Sequence, residues 1–360
     1  MRRILIGIPE ETHRQIAVSE VEGLINLGFK VFTTIYAGKS SYKNSFQRLY
    51  IIVDNAVRIF RRTKRDKIDL VYLNTSFNPN AIIRDFISLF LIRFINAKIV
   101  LKLHGSRVTL LQTRNTLFRY MIKKISRWAD GFGVLSSEEK SNFINAGFRP
   151  ETLFILKNIV PSLEQVKSNK FRTAHHLDDN DILALYIGRF IPSKRVIDII
   201  RALDIVKRSG YNIKLLCVGD GPENNKIRQE AAQFDLMESI IFTGFIKEEE
   251  TKIYYANADM LVFPSLSEGF AMAIFTSVAA GLPIITTQIR AAADYLLEPD
   301  NCFWITQKNP EMIAEKIIHL LQHPEMCNTM SQNNKELSKS FSQKIICQEL
   351  EAIFNQLLSK

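Results

Sequence analysis

Short apolar runs alternate with amphipathic segments along this chain, and the alternation predicts its architecture. In the first half the runs predict strands at residues 4–8, 30–35, 70–74, 98–103 and 131–135. Helical periodicity predicts helices between them at about 17–27, 46–63, 80–95 and 115–129. After a polar stretch the pattern restarts, with strands at 182–187, 213–218, 240–242 and 260–263 and helices at 196–208, 224–234 and 251–257. Such alternation predicts α/β domains with parallel sheets and helices on both faces.

The length of 360 residues is sufficient for two such domains. We expect the first at 1–162 and the second at 163–341, with an amphipathic helix at about 342–360 packing back on the first. The apolar content of 46% supports sizeable cores, and the charged content of 23% is typical of a soluble protein. No apolar run is as long as a membrane-spanning helix, and the cysteines form no C-x-x-C pair. The sequence therefore predicts a cytoplasmic protein with reduced thiols.

The excess of positive over negative charge lies entirely in the first half of the chain. Residues 1–160 contain 26 Lys and Arg against 12 Asp and Glu, whereas the whole chain has a net charge of +10. Most of this excess of Lys and Arg lies in two predicted helices and the residues that directly flank them. The helices are at about 46–63 and 115–129. Such helices can lie on an anionic membrane, although a solvated face whose apolar side packs on a core would show the same pattern. No nucleic-acid-binding module is visible, so we expect no nucleic-acid partner.

The segment 264–287 reads PSLSEGFAMAIFTSVAAGLPIITT and contains the most informative pattern. An apolar strand precedes it, and a helix that ends near Gly281 follows, so Glu268 and Gly269 lie in a strand-to-helix turn. In parallel sheets, ligands bind at this edge, outside the carboxyl ends of the strands. A glycine there lets backbone N–H groups approach an anion, and a carboxylate can bind sugar hydroxyls.

This segment resembles the signature of the retaining nucleotide-sugar glycosyltransferases of GT-B architecture, the glycosyl transferases group 1 of bacterial surface-polysaccharide synthesis. The resemblance implies a GT-B fold, with two Rossmann-like domains facing a central cleft. The family's first signature glutamate, which holds the donor hexose, matches Glu268, and the backbone of Gly269, Phe270 and Ala271 would present N–H groups to the donor. The second glutamate, which usually holds the ribose, is replaced by Thr276. The chain therefore departs from the family pattern in how it would recognise the ribose of the donor.

The loop after the strand at 182–187 reads GRFIPSKR and contains two cations before a helix. There an arginine fork, a lysine charge and a helix dipole can stabilise a diphosphate leaving group. Arg189 and Lys194 match the family's phosphate grip, and Arg195 stands where the family often has glycine. Two exposed basic loop residues are the alternative interpretation. The resemblance implies further donor contacts from turn residues, namely Gly188, Gly219, Gly221, Phe245 and Ile246.

In the first domain, His104 ends a predicted strand, where the family often places a histidine near the donor sugar and reaction centre. A lone histidine is, however, more often structural. The first loop, from Gly7 to Gln15, lacks the adjacent glycines of the family, and we expect it to help define the acceptor. Glu11 or His13 could act there as a base, or both could be solvated loop residues.

The resemblance implies a hexosyltransferase that uses a nucleotide diphosphate sugar. A UDP-sugar is favoured and a GDP-sugar is possible, and the acceptor would be a hydroxyl of a growing, lipid-linked surface glycan such as lipopolysaccharide. The histidines do not cluster with carboxylates at metal-ligand spacing, so we expect neither metal nor cofactor. We expect a peripheral protein on the inner membrane face. The alternatives are a non-catalytic membrane-associated partner subunit of a transferase, or a sugar-nucleotide epimerase or hydrolase on the same fold.

Overall fold

The computed structural model describes residues 2–10, 13–37, 45–163 and 168–359, which form two compact units. Unit 1 comprises residues up to 159 together with 341 onward, and unit 2 comprises residues 160–340. The sequence analysis placed the boundary between the two domains after residue 162. It placed the point where the chain returns to the first domain at about residue 342. No helix in the described ranges has both the length and the apolarity needed to span a membrane.

Unit 1 is built on a six-stranded parallel sheet with strand order β2-β1-β3-β4-β5-β6. Its elements up to residue 155 are β1 Arg3–Pro9, α1 Arg14–Asn26, β2 Lys30–Ala37, α2 Ser45–Arg65, β3 Leu70–Phe77, α3 Pro79–Ile92, β4 Lys98–Ser106, α4 Thr116–Trp128, β5 Gly131–Val134, α5 Ser137–Asn145 and β6 Leu153–Ile155.

Unit 2 is built on a second six-stranded parallel sheet, with order β12-β11-β10-β7-β8-β9. Its elements are α6 Asn169–Ala174, β7 Leu183–Ile187, α7 Val196–Arg208, β8 Lys214–Val218, α8 Asn224–Gln233, β9 Ile240–Gly244, α9 Lys252–Asn257, β10 Met260–Phe263, α10 Met272–Ala280, β11 Ile284–Thr287, α11 Arg290–Tyr295, β12 Cys302–Ile305, α12 Pro310–Gln322 and α13 Pro324–Ser338. The last helix, α14 Gln343–Leu358, belongs to unit 1.

Short 3-10 turns connect several of these elements. They are Val108–Gln112, Pro150–Thr152, Pro192–Lys194, Met237–Ser239, Glu248–Glu250 and Lys339–Phe341.

The strands form because their runs are apolar on both faces, as expected for a parallel sheet covered by helices. In β1 of unit 1, Leu5 faces one apolar cluster, while Ile4 and Ile6 face another. Helix α14 contributes Leu350 and Phe354 to the second cluster, so the end of the chain forms part of this core. The predicted α/β architecture is therefore confirmed for each unit. The short strands β6 and β12 were not predicted from the apolar pattern.

Both sheets contain a point where the strand order reverses. In unit 2 the chain runs outward from β7 to β8 and β9, then starts again at β10 on the other side of β7. In unit 1 the reversal lies between β1 and β3. The loops that follow the strands on either side of such a point diverge and leave a crevice, which is where open α/β sheets bind ligands.

Candidate active site

The two most specific motifs of the sequence lie on either side of the reversal in unit 2. The GRFIPSKR loop follows β7 and the SEGF turn follows β10, and these two strands are hydrogen-bonded neighbours. Side chains at the carboxyl ends of adjacent parallel strands meet at one edge of the sheet. The structure therefore brings Arg189, Lys194 and Glu268 to one edge, as the sequence predicted.

Lys194 and Glu268 form an ion pair through Nζ and Oε1. The side chains are only 13% and 16% exposed, respectively, so the pair is partly screened from water but can still be reached. Ser265 donates a hydrogen bond from Oγ to the same carboxylate oxygen at 2.9 Å. The Lys194 ammonium also lies 5.2 Å from the centre of the Phe263 ring. Glu268 and Lys194 are therefore held in defined positions rather than extending freely into solvent.

The two loops are also joined through their backbones. The N–H of Leu266 donates to the carbonyl of Ser193 at 2.8 Å, and the hydroxyl oxygen of the buried Ser265 lies 3.3 Å from the same carbonyl oxygen. These contacts fix the distance between the lysine loop and the glutamate turn. Ser265 and Ser193 were missed from the sequence, although a serine two residues after the apolar run of β10 was a readable signal.

The charge state of Lys194 depends on opposing effects. Burial and the nearby charge of Arg189 lower the pKa of Lys194 to about 8, while the contact with Glu268 favours the ammonium form. Arg189 itself is exposed. An anion that binds between these two cations would relieve their mutual repulsion, so the arrangement favours a negatively charged ligand.

Two helices begin at this edge, and neither has a side-chain cap. Arg195 precedes α7 with φ 56°, and Ala271 precedes α10 with φ 41°. Both are left-handed conformations that cost a non-glycine residue about 1 kcal/mol or more. Uncapped first turns present backbone N–H groups and the positive end of the helix dipole. Arg195 is also bound bidentately to Asp198, at 2.8 and 2.6 Å, and this holds its guanidinium against its own helix.

The turn after β8 packs tightly on the GRFIPSKR loop, and this explains its glycines. A Cβ on Gly219 would lie 2.0 Å from the carbonyl oxygen of Gly188, and one on Gly221 would lie 2.5 Å from that of Phe190. The N–H of Phe190 donates to the carbonyl of Asp220 at 2.9 Å. Gly219 and Gly221 therefore permit the close approach of these two loops, and the packing positions Arg189. This role does not depend on whether the two glycines also contact a ligand.

The remaining donor-side positions have mixed surroundings. Phe245 follows β9 and is 78% exposed, with Ile246 half-buried beside it. Phe270 is buried and stacks on Phe275 at 4.1 Å, so its ring is part of the core and its backbone is the part that faces the turn. Thr276 is hydrogen-bonded to the phenol of the buried Tyr255. The hydroxyl that replaces the usual second glutamate is therefore engaged in packing α9 against α10.

In unit 1, His104 lies at the end of β4 and is only 8% exposed. Its Nε2 is 2.6 Å from Oδ1 of the buried Asn74, and its ring stacks on that of His13 with 4.6 Å between centroids. Burial, followed by the charge of Lys102, lowers the pKa of His13 to about 4 and that of His104 well below its usual value. The ring of His13 packs on that of His104, and such a low pKa makes His13 a weak base at neutral pH. Glu11 lies outside the described residues.

A second Lys–Glu ion pair lies beneath this histidine stack. Nζ of Lys102 is 2.5 Å from Oε1 of Glu20, and both side chains are completely buried. The sequence analysis missed this pair and Asn74. The readable signals were a lysine inside the buried run VLKLHG and a glutamate on the apolar face of α1, between Ile16 and Leu24.

Among the described residues, no three His, Cys, Asp or Glu side chains converge in a way that could hold a metal ion.

Comparison with known proteins relates part of this chain to a known family. Residues 167–337 match the model of the glycosyl transferases group 1. The capsular polysaccharide biosynthesis glycosyltransferase CapM of Staphylococcus aureus is 30% identical over 200 residues, which are 54% of this chain and 52% of CapM. The alpha-monoglucosyldiacylglycerol synthase of Acholeplasma laidlawii is 24% identical, over 55% of this chain and 48% of that protein. The chain thus spans about half the length of these curated relatives.

Solved structures extend the similarity in fold to the full length. Anabaena HepE, in complex with UDP and glucose, has a TM-score of 0.77 at 17% identity and covers 99% of both chains. The predicted GT-B fold class is confirmed by this likeness together with the two parallel sheets. Residues 167–337, which carry the Lys194–Glu268 edge, therefore belong to the group 1 glycosyltransferases, as the resemblance in the sequence predicted.

Proposed function

We propose that this chain is a retaining glycosyltransferase that moves a hexose from a UDP-sugar to a hydroxyl of a growing, lipid-linked surface glycan. A GDP-sugar is the alternative donor. The observation that carries the proposal is the Lys194–Glu268 pair beside Arg189, at the point of strand reversal in a group 1 glycosyltransferase domain. UDP is favoured because HepE, which shares the fold, binds UDP and glucose. The relatives that act in capsule and glycolipid synthesis support the class of acceptor.

The proposed reaction assigns a role to each group at this edge. The bond between the anomeric carbon and the diphosphate oxygen breaks, and the acceptor oxygen bonds to that carbon on the same face. Arg189 and Lys194 stabilise the charge that develops on the diphosphate, together with the uncapped first turns of α7 and α10. Glu268 accepts hydrogen bonds from the 3- and 4-hydroxyls of the hexose.

Proton transfer in this scheme needs no base from the protein. The acceptor hydroxyl gives its proton to the departing phosphate oxygen, so catalysis consists of positioning and leaving-group stabilisation. The low pKa of His13 makes this residue a poor candidate for such a base. Two cations already stand at the edge of unit 2, and we propose that they act without a metal ion or cofactor. Turnover should then survive treatment with EDTA.

Thermal shift with a panel of nucleotide sugars tests the proposed donor site. We expect one nucleotide sugar to stabilise the wild-type protein and to lose this effect with Arg189→Ala. Arg201→Ala is the matched control, because Arg201 lies on α7 and pairs with Glu230 away from the edge. Equal stabilisation of all three proteins would contradict the proposed phosphate grip.

The products then separate the remaining functions. An α-configured glycoside from an α-linked donor, identified by NMR, establishes retention. Turnover of the nucleotide sugar without any acceptor would instead indicate a hydrolase or epimerase. Binding of the donor without turnover on any acceptor would indicate a non-catalytic subunit.

We further propose that unit 1 binds an anionic membrane at the inner face of the cell membrane through α4 and the end of α3. Arg119, Lys123 and Arg127 are exposed on α4, beside Leu117 and Tyr120, which are 62% and 52% exposed. The opposite side of α4 packs on the core through Met121, Ile122 and Ile125. The sequence analysis considered a membrane-binding face and an apolar side packed on a core, and α4 combines the two. Its apolar side is part of the core, and its outer face is basic and aromatic.

The end of α3 adds to this outer face. The guanidinium of Arg93 lies 4.3 to 4.6 Å from the ring centres of Phe90, Phe94 and Trp128, and Phe94 is 69% exposed. Exposed aromatic rings combined with cations suit the headgroup region of an anionic bilayer. Such a surface would bring the enzyme to a lipid-linked acceptor.

A further inference from the structure

The orientation of the Asn74 amide fixes the tautomer of His104. Nδ2 of Asn74 donates to the carbonyl of Gly7 at 3.2 Å, so Oδ1 is the atom that faces His104. An amide oxygen only accepts hydrogen bonds, and Nε2 of His104 must therefore carry the proton at this 2.6 Å contact. In a neutral imidazole, Nδ1 is then a bare acceptor. This Nδ1 is buried and has no hydrogen-bond partner among the described residues.

The surroundings of the two rings disfavour a charged imidazole. His104 is stacked on His13, and a proton on either ring would place a positive charge against the other. Lys102 lies two residues before His104 on β4, so both side chains point to the same face of the sheet. The charged and titratable groups around this cluster are Lys102 on β4, His13 and Glu20 from the α1 side, Tyr72 on β3 and Cys347 on α14.

The buried lysine is held firmly in place. Besides its ion pair with Glu20, Nζ of Lys102 donates to the carbonyl of Lys157 at 3.2 Å. Tyr72 donates to the same oxygen of Glu20 at 3.4 Å, while the second oxygen of that carboxylate has no partner among the described residues. Asn74 and Lys102 are register partners in β3 and β4, so the strand pairing holds the amide, the ammonium and the imidazole together.

We propose that Lys102, Glu20 and Asn74 are positioning residues for His104, which they hold as a neutral Nε2–H imidazole with an unprotonated Nδ1. The consequence for turnover rests on the proposed function. The state of His104 itself does not depend on it. Asn74 sets the tautomer, and Lys102 opposes protonation through its fixed charge. Glu20 balances the charge of Lys102, so that the ammonium group can remain charged while it is buried.

Nitrogen-15 NMR of the histidine side chains in the full chain tests the state of His104 without any ligand. We expect His104 to show a neutral Nε2–H tautomer from pH 7 down to pH 5. A cationic ring or an Nδ1–H tautomer at pH 7 would overturn the proposal. The variant His104→Gln assigns the resonances.

The double variant Lys102→Met/Glu20→Gln removes both charges without leaving one of them buried alone. It should raise the pKa of His104, because the nearby like charge of Lys102 has been removed. Asn74→Leu should leave the charges intact and let the Nδ1–H tautomer appear. If neither change altered the His104 resonances, the positioning role would be wrong.

Steady-state kinetics connect the neutral state of His104 to the reaction. The substrate is UDP-glucose or the nucleotide sugar that the thermal-shift panel identifies. In the double variant, the acidic limb of the kcat/KM profile should move to higher pH by the same amount as the NMR titration, with UDP affinity unchanged. Turnover with an unmoved acidic limb would overturn the proposal while leaving the proposed function in place. A protein without turnover would fail the proposed function, and the NMR result would still decide the state of His104.

Discussion

Two of the Lys–Glu ion pairs, one in each unit, differ chiefly in burial. Lys102 and Glu20 in unit 1 are completely buried, whereas Lys194 and Glu268 in unit 2 keep 13% and 16% of their surface exposed. Lys194 follows β7, which adjoins the point of reversal in unit 2, whereas Lys102 lies within β4, one strand away from the reversal in unit 1. A buried pair can act only on its protein neighbours. A pair that is still reachable can exchange its partner for a ligand.

The surroundings of the two pairs agree with this difference. Lys102 has a backbone carbonyl and a carboxylate as partners, and its positive charge acts on His13 and His104. Lys194 lies beside a second cation, Arg189, and two uncapped helix termini. The same residue types therefore serve an internal electrostatic role in one unit and a proposed anion-binding role in the other.

The same substitution at the two lysines should break the two units in different ways. Lys102→Met leaves Glu20 as an uncompensated buried charge and should lower the free energy of unfolding of unit 1 by about 3–5 kcal/mol. Lys194→Met should change the stability of unit 2 by less than about 1 kcal/mol. The chain has only two tryptophans, Trp128 in unit 1 and Trp304 in unit 2, so single-tryptophan backgrounds can follow each unit by urea denaturation.

The double variant Lys102→Met/Glu20→Gln controls for this loss. It should recover most of the stability, because no buried charge is left without a partner. Equal losses for the single and double variants would show that packing, and not charge, causes the effect.

Removal of the exposed carboxylate should affect turnover while the fold stays intact. Glu268→Gln keeps the shape of the side chain but removes the charge that binds Lys194 and the sugar hydroxyls. We expect kcat/KM to fall by about 10²–10³-fold, the range for loss of one preorganised polar group at a reaction centre. Glu230→Gln is the matched control on the same unit. Turnover within a factor of two of wild type would remove Glu268 from the mechanism.

The pH dependence of donor binding should distinguish the two pairs further. Only the ammonium form of Lys194 attracts a diphosphate, and its pKa is lowered to about 8. UDP affinity should thus be full below this value and should fall as the pH rises through and above it, by up to about tenfold per unit. Lys194→Arg should move this loss to higher pH. A flat UDP titration between pH 6.5 and 9.5 would show that Lys194 does not contact the diphosphate.

The smallest expected effect concerns the outer face of unit 1. Charge reversal at Arg119 and Lys123 should weaken binding to vesicles of anionic lipid, because each basic residue near the surface contributes about 1 kcal/mol at low salt. Lys207→Glu in unit 2 is the control. Unchanged sedimentation with phosphatidylglycerol vesicles would contradict the proposed membrane surface.

Predictability from the sequence differed between the two sites for a physical reason. Arg189, Lys194 and Glu268 each lie in a turn directly between a strand and a helix, so local pattern alone placed them at the sheet edge. The contact between Lys102 and Glu20 spans 82 residues and depends on how α1 packs against β4. The contact of Asn74 with His104 depends on strand register. Polar residues inside apolar runs were the available signal, but their partners could not be identified without the fold.

The most direct test of the account is a calorimetric titration of UDP-glucose into wild type, Lys194→Met and Lys207→Met. Lys194 precedes the first turn of α7 and Lys207 lies in its last turn, so the pair compares the two ends of one helix with the same substitution. We predict that wild type and Lys207→Met bind alike and that Lys194→Met binds at least about tenfold more weakly. Binding by Lys194→Met at wild-type affinity would contradict the assignment of this edge as the donor site.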